Sequence, residues 1–234
     1  DPPDVLIAPP SILRYLADQE ISLPCRKLIS VAEVLTPLDR DIIEQHFQRT
    51  VHQFYTSTEG EIAATCEHGT LHLNEEIMVI QKEWIDEDQT MFHPIISDFK
   101  RTTQPMVRYR QNDILVVRND PCPCGDARQA ISEIIGRQDD VFEFETTSGN
   151  TEFVVPDMIR RATLAMHPDI TAYMVQQLSP GHIKVQLDPL LSDLNRSGFE
   201  QLWEAKGIVA PEITVEAYEF KPSATKMRRI TKCF

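Results

Sequence analysis

The stretch VHQFYTSTEG, residues 51–60, places a cluster of polar side chains directly after a run that alternates like a β-strand. Ligands of open α/β sheets bind where such strands end. The aromatic ring of Tyr55 can stack on a purine, the hydroxyls that follow can bond phosphate oxygens, and the carboxylate of Glu59 can hold Mg²⁺. The hexapeptide 55–60 therefore indicates a nucleotide site, with Ser and Thr that only fill a turn as the alternative.

A strand and helix repeat precedes this stretch. Residues 5–8 and 27–31 are predicted strands, the first of them buried, and residues 10–20 carry apolar side chains on one helical face. Thr36 is the predicted N-cap of a second helix, with Pro37 at its first position. Strand, helix, strand, helix, strand predicts a parallel α/β layer.

The pattern changes after Glu59 to short strands with period-two alternation, which predicts a mainly antiparallel sheet or small β-barrel-like subdomain. Beyond residue 137 we expect a separate α+β domain. Its predicted elements are a hairpin around Gly149, helices at 156–167 and 191–206, and strands at 171–178, 182–187 and 212–220. The predicted fold class is therefore α/β, with domains at 1–137 and 138–234.

The composition allows a sizeable core and argues against two classes of partner. The net charge of -13 disfavours nucleic acid, because its phosphates are bound by clustered Lys and Arg. No apolar run reaches the roughly 20 residues that cross a bilayer, and no charged-then-apolar leader is found. We therefore expect a cytoplasmic protein with no nucleic acid partner and no membrane span.

Six stretches in order resemble the adenylate-forming superfamily, and within it the phenylacetate–coenzyme A ligase and coenzyme-F synthetase-like branch. SVAEVL resembles the family's Gly-Glu-x-Leu strand end, and YTSTEG its Tyr-Gly-x-Thr-Glu signature. PMVRYRQNDI looks like Arg-Tyr-Arg-Thr-Gly-Asp-Leu, CPCG matches Cys-Pro-Cys-Gly, and GRQDD matches Gly-Arg-x-Asp-Asp. PSATKMRR is similar to the final Gly-Lys-x-Arg-Arg motif. In this order the stretches occupy residues 30–35, 55–60, 105–114, 122–125, 136–140 and 222–229.

The resemblance implies a pocket for a nucleotide and an acyl group in the first 137 residues. Ser30, Ala32 and Glu33 would line the adenine and acyl pocket. Tyr55 would lie against the adenine, and Thr58 would contact the α-phosphate. The carboxyl-terminal domain would act as a mobile lid over this pocket.

The resemblance also assigns the charged residues. Glu59 would hold Mg²⁺, Asp113 would accept both ribose hydroxyls, and Arg137 would support the same ribose. Asp139 would be the hinge of the lid, and Lys226 would stabilise charge that develops during adenylation. Taken singly, a solvated terminus for Lys226, a turn cap for Asp113 and surface acids at 139–140 are the alternatives.

The chain departs from the family pattern in several places. Thr56, Asn112 and Thr225 stand where the family has Gly, and residues 143–150 lack its basic, Gly-rich character. No Ser/Thr/Gly-rich phosphate loop occurs in the 234 residues, and the chain starts at Asp1 without an initiator Met. We therefore expect a fragment of a longer enzyme.

Cysteine and histidine residues predict a metal site. Cys122 and Cys124 are too close for an ordinary disulfide, and thiols and imidazoles are ligands that zinc selects. The resemblance implies Cys66, His72, Cys122 and Cys124 as ligands, with His68 in reserve. Four protein ligands would make the zinc structural. Free thiols without a metal are the alternative.

The resemblance implies ATP-dependent activation of a carboxylic acid to an acyl adenylate, followed by thioester formation with coenzyme A. The cofactors and substrates would be ATP/AMP, Mg²⁺, structural Zn²⁺, the acid and coenzyme A. AMP transfer to a cofactor and a non-catalytic binding module are the alternatives. The acid and the oligomeric state stay open, with a homodimer as one option.

Overall fold

The computed structural model describes residues 3–220 and 226–234. The chain divides into two compact units, Asp1–Ile134 and Ile135–Phe234, here called the amino-terminal and carboxyl-terminal units. The boundary predicted from the sequence lies at residue 137. Within the two described ranges, no helix combines the length and apolar composition needed to cross a membrane.

The amino-terminal unit begins with the alternating strands and helices of the predicted α/β layer. They are β1 Val5–Ala8, α1 Pro10–Asp18, β2 Lys27–Ser30, α2 Pro37–Phe47 and β3 Val51–Ser57. β1 pairs with β2 and β2 with β3, both in parallel, so the predicted parallel layer is confirmed. Thr36 is the N-cap of α2, as predicted: its Oγ1 accepts the Asp39 backbone N–H at 3.2 Å.

A buried ion pair joins the two helices of this layer. Arg14 Nη1 in α1 lies 3.2 Å from Asp39 Oδ1 in α2, and the two side chains are 8% and 1% exposed. Arg14 Nε also donates to Asp18 Oδ1, and Thr36 Oγ1 donates to Asp39 Oδ2. A carboxylate this deeply buried depends on such partners, because an unpaired buried charge is costly.

β1 differs from its prediction as a buried strand. Val5 and Ile7 are 42% and 55% exposed, whereas Leu6 and Ala8 pack against the apolar cluster beneath the sheet. The reason is the alternation of side chains along a strand: Leu6 and Ala8 point to the face with this cluster, and Val5 and Ile7 point to the opposite face.

Antiparallel strands complete the sheet. They are β4 Gly60–Thr65, β5 Leu71–Leu73, β6 Met78–Trp84, β7 Met91–Asp98, β8 Met106–Arg110, β9 Asp113–Val117 and β10 Ala130–Arg137. The order is β1-β2-β3-β4-β5-β10-β9-β7-β6, with β8 beside β7. The α/β class is confirmed, but the described strands form an open sheet and not a closed barrel, because the order ends at β1 and β6.

The carboxyl-terminal unit is an α+β fold around a four-stranded sheet. A 3-10 helix, Gln138–Asp140, comes first, and the other elements are β11 Phe142–Glu145, β12 Thr151–Val154, α3 Pro156–Leu164, β13 Ala172–Ser179, β14 His182–Asp188, α4 Ser197–Lys206, β15 Glu212–Ala217 and β16 Ile230–Lys232. The sheet order is β15-β14-β13-β16. Trp203 packs against Phe144 and Phe199, with ring centroids 4.9 and 5.5 Å apart, in the core of this unit.

Four elements of this unit depart from the prediction, and one of them is β15, which ends at Ala217, three residues before its predicted end. α3 ends at Leu164, three residues before the predicted end, and α4 begins at Ser197 instead of residue 191. Asn195 Oδ1 accepts the Ser197 N–H at 2.9 Å, so this side chain satisfies a first-turn donor and marks the helix start. β16 was not predicted, because three residues give no readable periodicity.

We expect Arg14→Met to lower the free energy of unfolding by about 3 kcal/mol, because it leaves Asp39 buried without its cation. Arg26→Met is the matched control, since Arg26 and its partner Asp4 are 85% and 80% exposed. It should change stability by less than about 0.5 kcal/mol. Urea unfolding of both variants checks this; equal losses would contradict the importance of the buried pair.

Candidate functional site

The carboxyl ends of the parallel strands lie at one edge of the sheet and hold the first predicted pocket residue. Ser30 ends β2 and pairs with Gln53 of β3. Its side chain is 2% exposed, and its Oγ has no hydrogen-bond partner within the described part of the chain. A buried hydroxyl without a partner is costly, so its placement fits a polar ligand bound at this edge.

The backbone after Ser30 is strained at a second predicted residue. Ala32 has a φ of 70°, in the left-handed region that favours glycine. Glu33, the third of the group, accepts the Ser11 N–H on Oε2 at 3.2 Å and so satisfies a donor of the first turn of α1. The structure therefore gives Glu33 a capping contact that the sequence did not predict.

Tyr55 and Asp113, predicted as adenine and ribose residues, are in direct contact. The Tyr55 hydroxyl donates to Asp113 Oδ2 at 2.5 Å. The Asp113 carbonyl accepts from His93 Nδ1 at 2.9 Å, and burial lowers the pKa of His93, which favours its neutral form. Both the backbone and the carboxylate of Asp113 are thus held in place where β9 begins.

A glutamine orients the predicted magnesium ligand. Gln111 is 5% exposed, and its Nε2 donates to Glu59 Oε2 at 3.2 Å and faces Ser57 Oγ at 3.5 Å. Burial raises the pKa of Glu59, but hydrogen bonds from Gln111 and Ser57 outweigh it, so the pKa lies below its ordinary value. Glu59 is therefore ionised at neutral pH, which suits a ligand of Mg²⁺.

Gln111 was not predicted as a site residue: it lies within the stretch 105–114 that resembles the family, beside the departure at Asn112, but the resemblance implied no role for it. Arg101 was also missed: its Nη1 donates to the Thr58 carbonyl at 2.5 Å and fixes the two-residue turn Thr58–Glu59 between β3 and β4. Thr58 itself is exposed in this turn.

Thr56 and Asn112, which replace glycines of the family pattern, do not require a positive φ. Neither Thr56 nor Asn112 is among the described residues with a positive φ. The pairing of β3 with β4 shifts register between Tyr55 and Thr56, so a β-bulge accommodates the residue at this point. Thr225 lies outside the described residues, as does the rest of the segment 221–225.

The remaining predicted residues belong to the carboxyl-terminal unit. Arg137 ends β10 and Asp139 lies in the 3-10 helix, and both are exposed. Lys226 is exposed as well and precedes β16. Their roles towards a nucleotide remain predictions.

The four predicted metal ligands come together in the amino-terminal unit. One ligand atom from each of Cys66, His72, Cys122 and Cys124 lies within 4.8 Å of all the others. The Cys66 and Cys122 sulfurs are 3.7 Å apart, and Cys124 Sγ is 3.4 Å from His72 Nε2. Two thiolates on one tetrahedral Zn²⁺, each about 2.3 Å from it, lie about 3.8 Å apart, so this spacing fits zinc.

The surroundings of the cluster also fit a metal. His72 is 1% exposed, and its Nδ1 bonds the Arg128 carbonyl at 3.2 Å, which directs the Nε2 lone pair to the thiols. His68, the reserve ligand, is half-exposed beside Glu67 and lies outside the cluster. All five cysteines are free thiols.

The thiols of the cluster differ in acidity. The Cys124 backbone N–H is the largest cause that lowers the pKa of Cys122, to about 6. The Asp126 backbone N–H lowers the pKa of Cys124, but desolvation and the Cys122 and Cys66 sulfurs raise it to a net value of about 11. Cys122 is thus the more acidic of these two thiols, and a bound cation would favour the thiolate form of its ligands.

Comparisons with known proteins bear on the fold. The chain is similar to 2-hydroxyisobutyryl-CoA ligase in complex with 2-HIB-AMP, with a TM-score of 0.69, 18% identity, and coverage of 98% of this chain and 54% of that one. The amide bond synthetase McbA from Marinactinospora thermotolerans gives a TM-score of 0.61, 14% identity, and coverage of 93% and 48%. The chain has the fold of the adenylate-forming ligases. The resemblance read from the sequence is thereby confirmed at the level of fold.

The chain is also similar in sequence to a curated protein. Protein CapK from Staphylococcus aureus is 32% identical over 136 residues, which cover 56% of this chain and 30% of CapK. No protein-family model matches the chain. The chain spans about half the length of the ligases with this fold and less than a third of CapK.

We expect Ala32→Gly to raise the free energy of unfolding by about 0.5–1 kcal/mol. Relief of the left-handed strain at this residue, about 1–2 kcal/mol, exceeds the entropy cost of glycine. Ala8→Gly in β1 is the control and should lower stability by about the same amount. Denaturant unfolding measures both; destabilisation by Ala32→Gly would contradict strain at this strand end.

Proposed function

We propose that this chain is part of an enzyme that uses ATP to activate a carboxylic acid as an acyl adenylate. One observation carries the proposal: two oriented carboxylates, Glu59 and Asp113, lie at the carboxyl edge of β2 and β3 in the same unit as the unpartnered Ser30 hydroxyl. The solved ligases with this fold support it, since one of them holds 2-HIB-AMP. Ligands of α/β sheets bind at this edge.

The residues of the amino-terminal unit suit the binding of a magnesium nucleotide. The Tyr55 hydroxyl orients Asp113, whose carboxylate has lone pairs for the ribose hydroxyls, and the ring of Tyr55 would lie against the adenine. The ionised Glu59, held by Gln111, would coordinate Mg²⁺. Ser30 would bond the base or the acyl group, and Thr58 would contact the α-phosphate.

The proposed reaction is the transfer of an adenylyl group from ATP to the carboxylate of the acid. A carboxylate oxygen of the acid attacks the α-phosphorus of ATP, a new P–O bond forms, and pyrophosphate leaves with the electrons of the broken bond. Lys226 would stabilise the negative charge that develops between the carboxylate and the α-phosphate. Arg137 would support the ribose, and Asp139 would serve as the hinge of the carboxyl-terminal unit.

Coenzyme A is the first candidate for the acceptor of the acyl group. 2-Hydroxyisobutyryl-CoA ligase, which shares the fold, has been seen with 2-HIB-AMP and CoA. Two observations favour an acceptor other than coenzyme A. McbA, which shares the fold, is an amide bond synthetase. Residues 143–150 of this chain are acidic, because they include Glu143 and Glu145, whereas the family has a basic segment here. AMP transfer to a cofactor hydroxyl is the second candidate, and product analysis separates the two.

We propose that Cys66, His72, Cys122 and Cys124 bind one structural Zn²⁺. Four protein ligands leave no open position for a substrate, so the ion would hold the β4–β5 turn against the loop between β9 and β10. When bound, it would neutralise the thiolates and hold them in place, and it would take no part in adenylation.

The test of adenylation is carboxylate-dependent ATP–pyrophosphate exchange by the full-length protein across a panel of aryl and aliphatic acids. We expect exchange with at least one acid.

The variant Lys226→Ala should lower the rate of this exchange at least about 100-fold, because a single stabilising group at developing charge contributes that much. ATP binding should be kept. Lys206→Ala, a control in the same unit, should leave the rate unchanged; exchange at the normal rate in Lys226→Ala would remove Lys226 from the mechanism.

The test of the zinc site compares two histidines of one hairpin. Purified protein should contain one zinc per chain by mass spectrometry of the metal. His72→Ala should reduce it to below about a tenth and lower the melting temperature, because metal binding contributes to folding. His68→Ala should keep the metal. Full zinc content in His72→Ala, or none in the wild type, would refute the site.

A further inference from the structure

A buried carboxylate lies next to the proposed hinge. Asp140 ends the 3-10 helix Gln138–Asp140 and is 4% exposed, whereas its neighbour Asp139 is exposed. Burial raises the pKa of Asp140 above its ordinary value, although an arginine beside it acts in the opposite direction. A buried acid of this kind requires charged or hydrogen-bonding partners.

Those partners come from the end of the chain. Arg228 Nη1 lies 3.0 and 3.1 Å from the two carboxylate oxygens of Asp140, across 88 residues of sequence. The Lys232 backbone N–H also bonds the carboxylate. The Arg228 side chain is half-exposed, so the pair has its anion inside the unit and its cation at the surface.

A second contact fixes the next residue. Arg229 Nη1 donates to the Tyr173 carbonyl at 3.0 Å, and its guanidinium lies 5.3 Å from the centre of the Tyr173 ring. β16 then runs parallel to β13, which contains Tyr173. The segment directly after Lys226 is therefore attached both to β13, an inner strand of the sheet, and to the 3-10 helix.

These contacts limit where Lys226 can be. Arg228 is two positions after Lys226, so their Cα atoms are at most about 7 Å apart. The lysine side chain itself is exposed and carries a flexible stem. A displacement of about 1 Å in a catalytic group can cost about 100-fold in rate.

We propose that Asp140 and Arg228 are positioning residues that clamp the Lys226 segment to the 3-10 helix beside Asp139. The backbone at Lys226 then keeps its place relative to the hinge when the carboxyl-terminal unit moves, which limits the region that its ammonium group can reach. This inference rests on the proposed role of Lys226 in adenylation. Asp140 and Arg228 need not touch the substrate themselves.

Asp140→Asn is the first variant, because the amide keeps the size of the side chain and one acceptor oxygen but loses the charge. In full-length protein it should lower kcat of the exchange reaction about tenfold or more, with KM for ATP and for the acid within about twofold. Arg228→Met should have a similar effect, and Arg228→Lys should recover part of the rate. The double variant Asp140→Asn/Arg228→Met should be no slower than the worse single variant, because both remove the same interaction.

Glu152→Gln is the matched control. Glu152 pairs with Lys206 in the same unit, so this change also neutralises one carboxylate of an ion pair, but at a distance from the Lys226 segment in sequence and contacts. Its exchange rate should equal that of the wild type. If Asp140→Asn and Arg228→Met both exchange at the wild-type rate while Lys226→Ala does not, the clamp is overturned.

Tryptic cleavage after Lys226 gives a readout that needs no activity. Asp140→Asn should be cut there several-fold faster than Glu152→Gln, because the segment is no longer held. Unchanged cleavage overturns the clamp, and faster cleavage with unchanged exchange overturns its role in catalysis.

If the wild type exchanges with no acid, the proposed function fails, and cleavage alone decides whether the pair holds the segment. Should Asp140→Asn not fold, Arg228→Met, at a half-exposed residue, carries the exchange test.

Discussion

The hydrogen bond from Tyr55 to Asp113 is the constraint on which the amino-terminal unit depends. β3 and β9 are four steps apart in the sheet, by way of β4, β5 and β10. Neighbouring strands lie about 4.8 Å apart, so a flat sheet would separate them by about 19 Å. A contact of 2.5 Å between their side chains therefore requires the sheet to bend strongly, although it does not close. The contact between Glu59 and Gln111 imposes the same bend from residues nearby.

The bend has a chemical consequence and a structural support. Glu59 follows the parallel strand β3, and Asp113 begins the antiparallel strand β9. The bend places the ionised Glu59 and the oriented Asp113 at the same edge of the sheet. The proposed zinc would join the same parts of the sheet, since Cys66 follows β4, His72 lies in β5, and the other two ligands lie between β9 and β10. A metal at this place would thus stabilise the curvature that the proposed nucleotide site requires.

Local features of the fold could be predicted from the sequence, and distant pairings could not. The cap at Thr36 and the strand and helix repeat depend on residues within one turn of each other, and both are confirmed. The grouping of Cys66, His72, Cys122 and Cys124 followed from the family resemblance, while the spacing alone left His68 open. Gln111 and Arg228 both lie in stretches that resemble the family, but their contacts could not be predicted, because each contact joins residues far apart in sequence, 52 and 88 positions respectively. The open sheet was also not predictable, since period-two alternation is the same in an open sheet and a barrel.

Calorimetric titration of full-length protein with ATP and Mg²⁺ tests the central claim most directly, with Asp113→Asn and Tyr55→Phe beside the wild type. The amide of Asp113→Asn can still accept from Tyr55, so the bend is kept while the charge that would bind the ribose is lost. The account predicts binding by the wild type, affinity at least about tenfold weaker in Asp113→Asn, and a smaller loss in Tyr55→Phe, a tenfold change being about 1.4 kcal/mol. Absence of binding by the wild type, or equal affinity in Asp113→Asn, would contradict a nucleotide site at this edge.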